Sequence, residues 1–473
     1  MKIDKLYSIV FIFLWSGGRI LYNDSIKRYV GNTPLIRAEN IEKQLGISKI
    51  YLKLEGNNPS GYLEDRLAFL IIRDALEKGK NTICAGKSER IMVSLGFLSE
   101  FFNIKCVFYV PNKNKIAGKI DEGSKVKIVE FGNSRQDCIS QSNKVSYEND
   151  WYNANILNES NALYNYTYAQ LAKEIDTQLG GQIDTVFCQT GRGASIVGLH
   201  WGFKQLWIDE EIKRVPKLYA CSSGLSNPIV KAYKENQDTM ELFKTNSNTK
   251  LIEQISHTGQ EAVNALNDTR GGVIEVYNDE VLSSKLELQK LEKIRLSISN
   301  ALPIAAFYKF VSEGRIKEGN HVIILKDGRT SLDISEISLG NLPVSYDKLV
   351  ALLHEWLIEY RDPRTGIKEG LDEAFKSGYV LCAYQKGVLV GICVVVNTGF
   401  EVFLPKYHLG YIATKNDIKG RGIGTQLLKK AAELAKGQLS LHVDISNNNA
   451  TKLYEKMGFK KKYYRMIYDG IHK

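Results

Sequence analysis

The sequence predicts an α/β protein built from two units. Three observations predict it: a length of 473 residues, an alternation of short β-rich runs with helical stretches over residues 21–330, and a change of texture from Ser335 onward. The length is about three times the usual ~150-residue domain. Composition fits packed cores, with 44% hydrophobic and 25% charged residues, only 9 prolines against 39 glycines, and no long biased tract of the kind a disordered chain carries.

At the N-terminus, Lys2 and Lys5 precede an apolar run over residues 7–15 and then Ser16-Gly17-Gly18, the outline of a secretory signal. The run is too short to span a bilayer, and residues 1–20 are read as an apolar extension ahead of the first domain. The β-rich runs of that domain, residues 21–332, are KIYLKLE, TICAG, IKCVFYVP, SKVKIVEFG, TVFCQTG, KLYACSS, GVIEVY and HVIILKDG, interleaved with helical stretches such as LEDRLAFLIIRDALEKG. That alternation makes a largely parallel sheet. After an LKDGRTS turn, residues 333–473 form a smaller α/β unit. An amphipathic helix YDKLVALLHEWLIEY leads to strands YVLCAYQ, VLVGICVVV and HLGYIAT, then a glycine-rich turn, a helix, and LSLHVDI.

Seven cysteines are scattered without CxxC or CxxxH spacing, so the chain reads as a reduced cytoplasmic protein without disulfides or a metal site. The net charge of +10 is spread along the chain rather than gathered in a stripe. This argues against nucleic acid and membrane partners and for small anionic ligands.

In the first domain, Gly31-Asn32-Thr33-Pro34-Leu35 is followed by KLEGNNPSGYLEDR, residues 53–66, and by CAGKSER; later come GRGASIVG after TVFCQT, and IRLSISNALPIAA. This ordered set resembles the fold-type II pyridoxal-phosphate family of cysteine synthase, threonine synthase and the tryptophan synthase β-subunit. The resemblance implies a two-lobed domain, commonly a homodimer. Glu55, Asn58, Pro59, Ser60, Gly61, Asp65 and Arg66 match the family's E-x-x-N-P-T/S-G-S-F-K-D-R, but Glu64 stands where the family has the lysine that holds the cofactor's C4′. A carboxylate cannot form a Schiff base, and the missing amine is also the group that moves the α-proton. In CAGKSER, Lys87 and Glu89 replace the asparagine and the second glycine of the family's S-x-G-N-x-G loop. The segment Gly191, Arg192, Gly193, Ala194, Ser195 resembles the phosphate cup, where glycines admit a phosphate to the N–H groups of a helix start and Ser195 can add a hydroxyl donor. Ser299 and Asn300 are the candidates for the pyridine nitrogen. Three readings follow: a pseudoenzyme that serves as scaffold or ligand sensor and holds pyridoxal phosphate, if at all, without a covalent bond; a divergent enzyme that uses Lys87; or simple loss of the lysine codon.

In the second unit, LGYIATKNDIKGRGIGTQLLKKAAELA and LSLHVDISNNNATKLYEKMGF resemble the GNAT acyl-CoA N-acyltransferases over the whole domain. The loop Lys419, Gly420, Arg421, Gly422, Ile423, Gly424, with Thr425 following, corresponds to Q/R-x-x-G-x-G/A. It leads into an amphipathic helix whose positive end suits a pyrophosphate. The resemblance implies acetyl-CoA as cofactor, its pantetheine arm along Ile412, Ala413 and Thr414, a cofactor contact from Asn447, and Tyr454 protonating the leaving thiolate. For the general base the sequence offers His408, Glu401 and His442, with His408 the favoured choice. The expected activity is acetyl transfer to a small amine, an amino acid or a derivative. A pyridoxal-phosphate lyase or synthase with unusual cofactor attachment, and a regulatory subunit of an active homologue, are the alternatives.

Overall fold

A computed structural model describes residues 30–47, 49–86, 89–112, 125–155, 159–223, 227–236, 250–330, 332–358, 362–385, 388–419 and 422–462. The N-terminal extension and, among the expected site residues, Lys87, Gly420 and Arg421 lie outside these.

The first unit contains a six-stranded and a four-stranded sheet, and the chain threads both. It forms β1 (Leu35–Arg37) and β2 (Ile50–Leu54), then crosses to the four-stranded sheet for β3 (Thr82–Ala85), β4 (Lys105–Val110), β5 (Val126–Glu130) and β6 (Tyr152–Asn153). It returns for β7 (Thr185–Gln189), β8 (Lys217–Ser223), β9 (Gly272–Val276) and, after a short β10 (Ile294–Arg295), β11 (His321–Leu325). The large sheet has the order β1-β2-β11-β7-β8-β9 and is parallel except for β1; the small one, β5-β4-β3-β6, is wholly parallel. Helices cover the faces of such sheets, so the strands read as continuous apolar runs. All five residues of β11, HVIIL, are buried accordingly.

Two lobes follow from this threading, and the expected fold class is found. The carboxyl ends of the adjacent strands β2, β11 and β7 run directly into Glu55, Lys326 and Thr190. Open parallel sheets bind ligands at such carboxyl ends. Helix Glu64–Glu77 starts beside them and buries Leu67, Ala68, Ile71, Ile72 and Ala75, a helical stripe, in the core of the smaller lobe.

The chain leaves the first unit through β12 (Arg329–Thr330), paired with β10, and enters the second sheet at β13 (Asp333–Ile337). That sheet runs in the order β13-β14-β15-β16-β17, with β14 at Tyr379–Gln385, β15 at Val388–Asn397, β16 at Tyr407–Thr414 and β17 at Leu439–Leu441. All its pairs are antiparallel except β16 with β17. Helices Tyr346–Trp356 and Arg364–Ser377 bury Leu349, Leu353, Trp356, Ile367 and Leu371 in one core, while helix Ile423–Leu434 buries Leu427, Leu428 and Ala431 in another.

Candidate functional sites

In the first domain, most matching motif residues build one buried ionic network. Arg66 donates from Nε to Glu55 Oε2 at 2.7 Å and from both terminal nitrogens to Glu174 at 2.8 Å. The Thr33 hydroxyl donates to Glu55 Oε1 at 2.6 Å, and the fully buried Lys53 ammonium reaches the Thr33 carbonyl, Glu174 and Gln178. Glu174 is held at about 2, because the Arg66 and Lys53 charges outweigh a burial that would raise it. Asn58 accepts from the Gly31 N–H at 2.9 Å and donates to the Glu55 carbonyl. Asp65 accepts from the Ser60 N–H at 2.6 Å and from its hydroxyl, yet burial lifts its carboxyl to about 6. These residues hold the loop and the start of its helix.

Glu64 is different. Its Oε2 is buried without a hydrogen-bond partner, and burial, against the opposing fields of Lys326 and Arg90, raises its pKa. Arg90 lies over the Tyr62 ring at 5.6 Å and reaches Ser299 Oγ at 3.4 Å, Asn300 Oδ1 at 3.5 Å and Asp327 at 3.9 Å. Asn300 is buried whereas Ser299 is exposed. The Lys326 ammonium stands 5.5 Å from the Tyr168 ring. The Leu63 N–H donates to the Lys326 carbonyl at 3.0 Å, and Lys326 and Thr190 follow the neighbouring strands β11 and β7, so position 64 and the turn after β7 lie at one end of the sheet.

The phosphate-cup segment forms the start of helix Ala194–Ile208. Gly193 caps it at φ +94°, and a Cβ there would come within 2.8 Å of Ala262 Cβ and of the Thr258 carbonyl oxygen, so only glycine fits. Gly191 and Arg192 are exposed. Ser195, expected as a hydroxyl donor to the ligand, instead donates to the Gln189 carbonyl at 3.1 Å. The Thr190 hydroxyl, one residue before the turn, is buried without a partner, and Asn227 steadies the turn through the Gly191 carbonyl at 3.2 Å. The Ile196 N–H is already bonded to the Gly193 carbonyl at 2.9 Å, and helix geometry leaves the N–H groups of Ala194 and Ser195 for a ligand. These features fit a phosphate. Position 64 does not fit an aldehyde that must be held by an amine. Thr190, Asn227, Arg90 and Lys326 were not singled out from the sequence; HVIILKDG places Lys326 just past a strand, but its neighbours come from distant segments.

In the second domain, pairing of β16 with β17 runs from Tyr407↔Leu439 to Leu409↔Leu441 and stops, while β16 continues to Thr414. A bulge at Gly410 interrupts its register with β15, and Ile412, Ala413 and Thr414 thus lie on the part of β16 that β17 leaves bare. Helix Ile423–Leu434 starts beside this edge, capped by Gly422 at φ +75°, and a Cβ at Gly422 or Gly424 would meet nothing within 4 Å. Ile423 is buried and Thr425 half-buried. The Lys419 side chain turns away to the Trp356 carbonyl at 2.8 Å, a cation on a helix C-terminus.

Asn447 caps helix Asn448–Lys456 by accepting from the Ala450 N–H at 3.1 Å. Tyr454 packs in the same core as Leu427 and Leu428, its ring 5.9 Å from that of Phe459, and burial pushes its phenol up to about 12. His408 Nδ1 lies 2.9 Å from Ser440 Oγ, with the His442 ring 4.5 Å away, on the paired half of β16. Glu401 sits in an exposed loop against Lys406 at 3.7 Å.

Comparison with known proteins gives two family matches. Residues 26–327 match the family described as pyridoxal-phosphate dependent enzyme, and residues 349–459 match the acetyltransferase (GNAT) family. Threonine synthase of Methanocaldococcus jannaschii is 25% identical over 303 residues, 63% of this chain and 74% of that protein. Threonine synthase of Methanosarcina acetivorans is 24% identical over 65% of this chain and 78% of that protein. Among solved structures, the processed form of threonine deaminase isoform 2 from Solanum lycopersicum superposes with a TM-score of 0.53 at 16% identity, covering 69% of this chain and 90% of that one. Maize serine racemase gives 0.52 at 15% identity, covering 65% and 91%. At these identities the structural likeness concerns the fold of the first domain.

Proposed function

The chain belongs to the pyridoxal-phosphate dependent enzyme family and carries a GNAT acetyltransferase domain behind that family's domain, and from this premise we propose that its catalytic activity is acetyl transfer from acetyl-CoA to a small primary amine. The observation that carries the reading is an asymmetry between the two sites. The second domain keeps an open helix start at Gly422 and Gly424 beside the bare edge of β16, whereas the first has a buried carboxylate where its family's chemistry needs an amine.

In the proposed reaction the pyrophosphate of acetyl-CoA lies at the start of helix Ile423–Leu434, and the pantetheine arm adds to β16 along Ile412, Ala413 and Thr414. The neutral amine attacks the thioester carbon, His408 takes the amine proton, and the carbon–sulfur bond breaks. A phenol near 12 keeps its proton at neutral pH. Full transfer to a thiolate whose acid has an ordinary pKa near 8.5 is uphill by roughly three powers of ten, so Tyr454 acts as a hydrogen-bond donor to the departing sulfur. An amino acid or derivative is proposed as acceptor, by analogy with the threonine synthases that the chain resembles. The seven buried free thiols support a reducing, cytoplasmic setting, and the assembly is proposed as a homodimer through the first domain.

When bound, pyridoxal phosphate supplies an electron sink for amino-acid chemistry. Here Gly193, Thr190 and Arg192 would hold its phosphate, but Glu64 offers no nucleophile. One observation favours a second reading, a pyridoxal-phosphate enzyme with displaced attachment: Lys326 lies beside position 64, its carbonyl accepting from the Leu63 N–H at 3.0 Å.

The transferase reading is tested by incubating the full-length protein with acetyl-CoA and a panel of amino acids and small amines while free CoA thiol is measured. Acceptor-dependent release and an acceptor heavier by one acetyl group are expected. Release that never exceeds acceptor-free hydrolysis across the panel would rule it out.

A further inference from the structure

We propose that the cleft of the first domain binds, without a covalent bond, a phosphate ester that carries a primary ammonium group, and that it prefers this amine to the corresponding aldehyde. The proposal rests on the reading of position 64 as the point that faces the ligand's reactive arm. It is independent of the acetyl-transfer assignment.

Two ends of one cleft argue for it. At the first, Gly193 holds the start of the fifteen-residue helix Ala194–Ile208 open, Arg192 is exposed beside it, and the buried Thr190 hydroxyl has no partner. An anion with several acceptor oxygens matches this end. At the second, Glu64 Oε2 is buried and has no donor. A buried acceptor left unpaired is costly, and an ammonium group satisfies it with a charge-assisted hydrogen bond. The Leu63 N–H donates to the Lys326 carbonyl at 3.0 Å, and Lys326 and Thr190 directly follow the adjacent strands β11 and β7, which places both ends at the same carboxyl end of the sheet.

Charge agrees with the ligand. Arg90 is joined to Asp327 at 3.9 Å, which leaves Arg192, Lys326 and Glu64 to face the occupant. A phosphate dianion with one ammonium complements two cations and a carboxylate. An aldehyde oxygen at Glu64 would meet a carboxylate oxygen, with neither a donor between them nor an amine to condense with. Replacing an amine by a carboxylate at this position therefore inverts which oxidation level of the ligand's arm is favoured. Pyridoxamine 5′-phosphate is the member of this class with the outline of the family's own cofactor, and it serves as the probe.

The experiment titrates the purified full-length protein with pyridoxamine 5′-phosphate, pyridoxal 5′-phosphate and inorganic phosphate by calorimetry, followed by borohydride reduction and peptide mapping. In the wild type, pyridoxamine phosphate is expected to bind saturably, at least about tenfold tighter than pyridoxal phosphate, the size of one charge-assisted hydrogen bond. Inorganic phosphate should compete, and no borohydride-stable adduct should form in the cleft. Glu64→Gln, close in shape, should abolish the preference and leave phosphate affinity unchanged. Glu64→Lys should reverse it and yield a trapped adduct at position 64. Equal or tighter binding of pyridoxal phosphate by the wild type, absence of competition by phosphate, or trapping on Lys326 or Lys87 would overturn the proposal. Acetyl-CoA binding by the same preparation reports that the chain is folded and tests the other reading separately.

Discussion

Single residues explain why the family motif outlives its catalytic member. Glu55, Asn58, Asp65, Arg66 and Thr33 each hold a buried partner, so replacing any of them strands a charge or a polar atom, while position 64 contributes no hydrogen bond from Oε2 to the fold. Glu174→Gln should cost about 3–5 kcal/mol at pH 7, because it leaves Lys53 and Arg66 short of a counter-charge. The native carboxyl lies at about 2 against an ordinary 4.5. Its stabilisation is thus present in full above the unfolded value and is lost as pH falls through the native one. Urea titrations should accordingly show wild type and Glu174→Gln converging between those limits. In the second domain, Tyr454→Phe keeps the packing and removes the donor to sulfur. Turnover should fall by roughly 10²-fold, the lower end of the range for loss of a transition-state hydrogen-bond donor, with acetyl-CoA affinity unchanged. Unaltered turnover where chemistry is rate-limiting would take Tyr454 out of the mechanism.

At the scale of elements, the longer strands were legible because buried parallel strands are written as apolar runs and half-buried ones as alternation, whereas the short β1, β6, β10 and β12 and the largely exposed β13 were not singled out. VFCQ, VIIL and YACSS each became the strand that their composition implies. Two glycine turns were also legible, since a helix start with a positive φ at its cap admits few other residues: Gly193 at +94° and Gly422 at +75°. What surrounds them was not. Arg90 reaches residues more than two hundred positions away, and the Lys326 ammonium stands 5.5 Å from the Tyr168 ring, pairings that no local pattern encodes. The fate of Ser195 was likewise hidden, because its hydroxyl finds its acceptor in the Gln189 carbonyl at the end of the preceding strand. The two glycines predict different outcomes. Gly193→Ala should destabilise the protein by at least about 1–2 kcal/mol, through the left-handed backbone and the crowding by Ala262 and the Thr258 carbonyl, with a lower urea midpoint. Gly424→Glu should leave stability unchanged or slightly raised, since its Cβ meets open space and a carboxylate suits a helix start.

Across the whole molecule, the two domains meet at the far end of the helix that begins at the cleft. Arg90 lies in the first turn of helix Glu89–Phe102, and near its other end the Glu100 carbonyl accepts from the Lys452 ammonium at 2.9 Å, with that ammonium 5.1 Å from the Phe101 ring. Lys452 belongs to helix Asn448–Lys456, which also carries Tyr454. Lys452→Ala should cost about 1 kcal/mol of stability in urea unfolding and leave acetyl-CoA affinity unchanged, as expected of a contact that joins domains rather than one that holds cofactor. The central claim concerns the second domain, and calorimetric titration of the full-length protein with acetyl-CoA tests it most directly, with Gly424→Glu in parallel. Saturable, one-to-one binding by the wild type and its loss in the correctly folded variant is the predicted result; no heat from the wild type, or equal binding by both proteins, would contradict it.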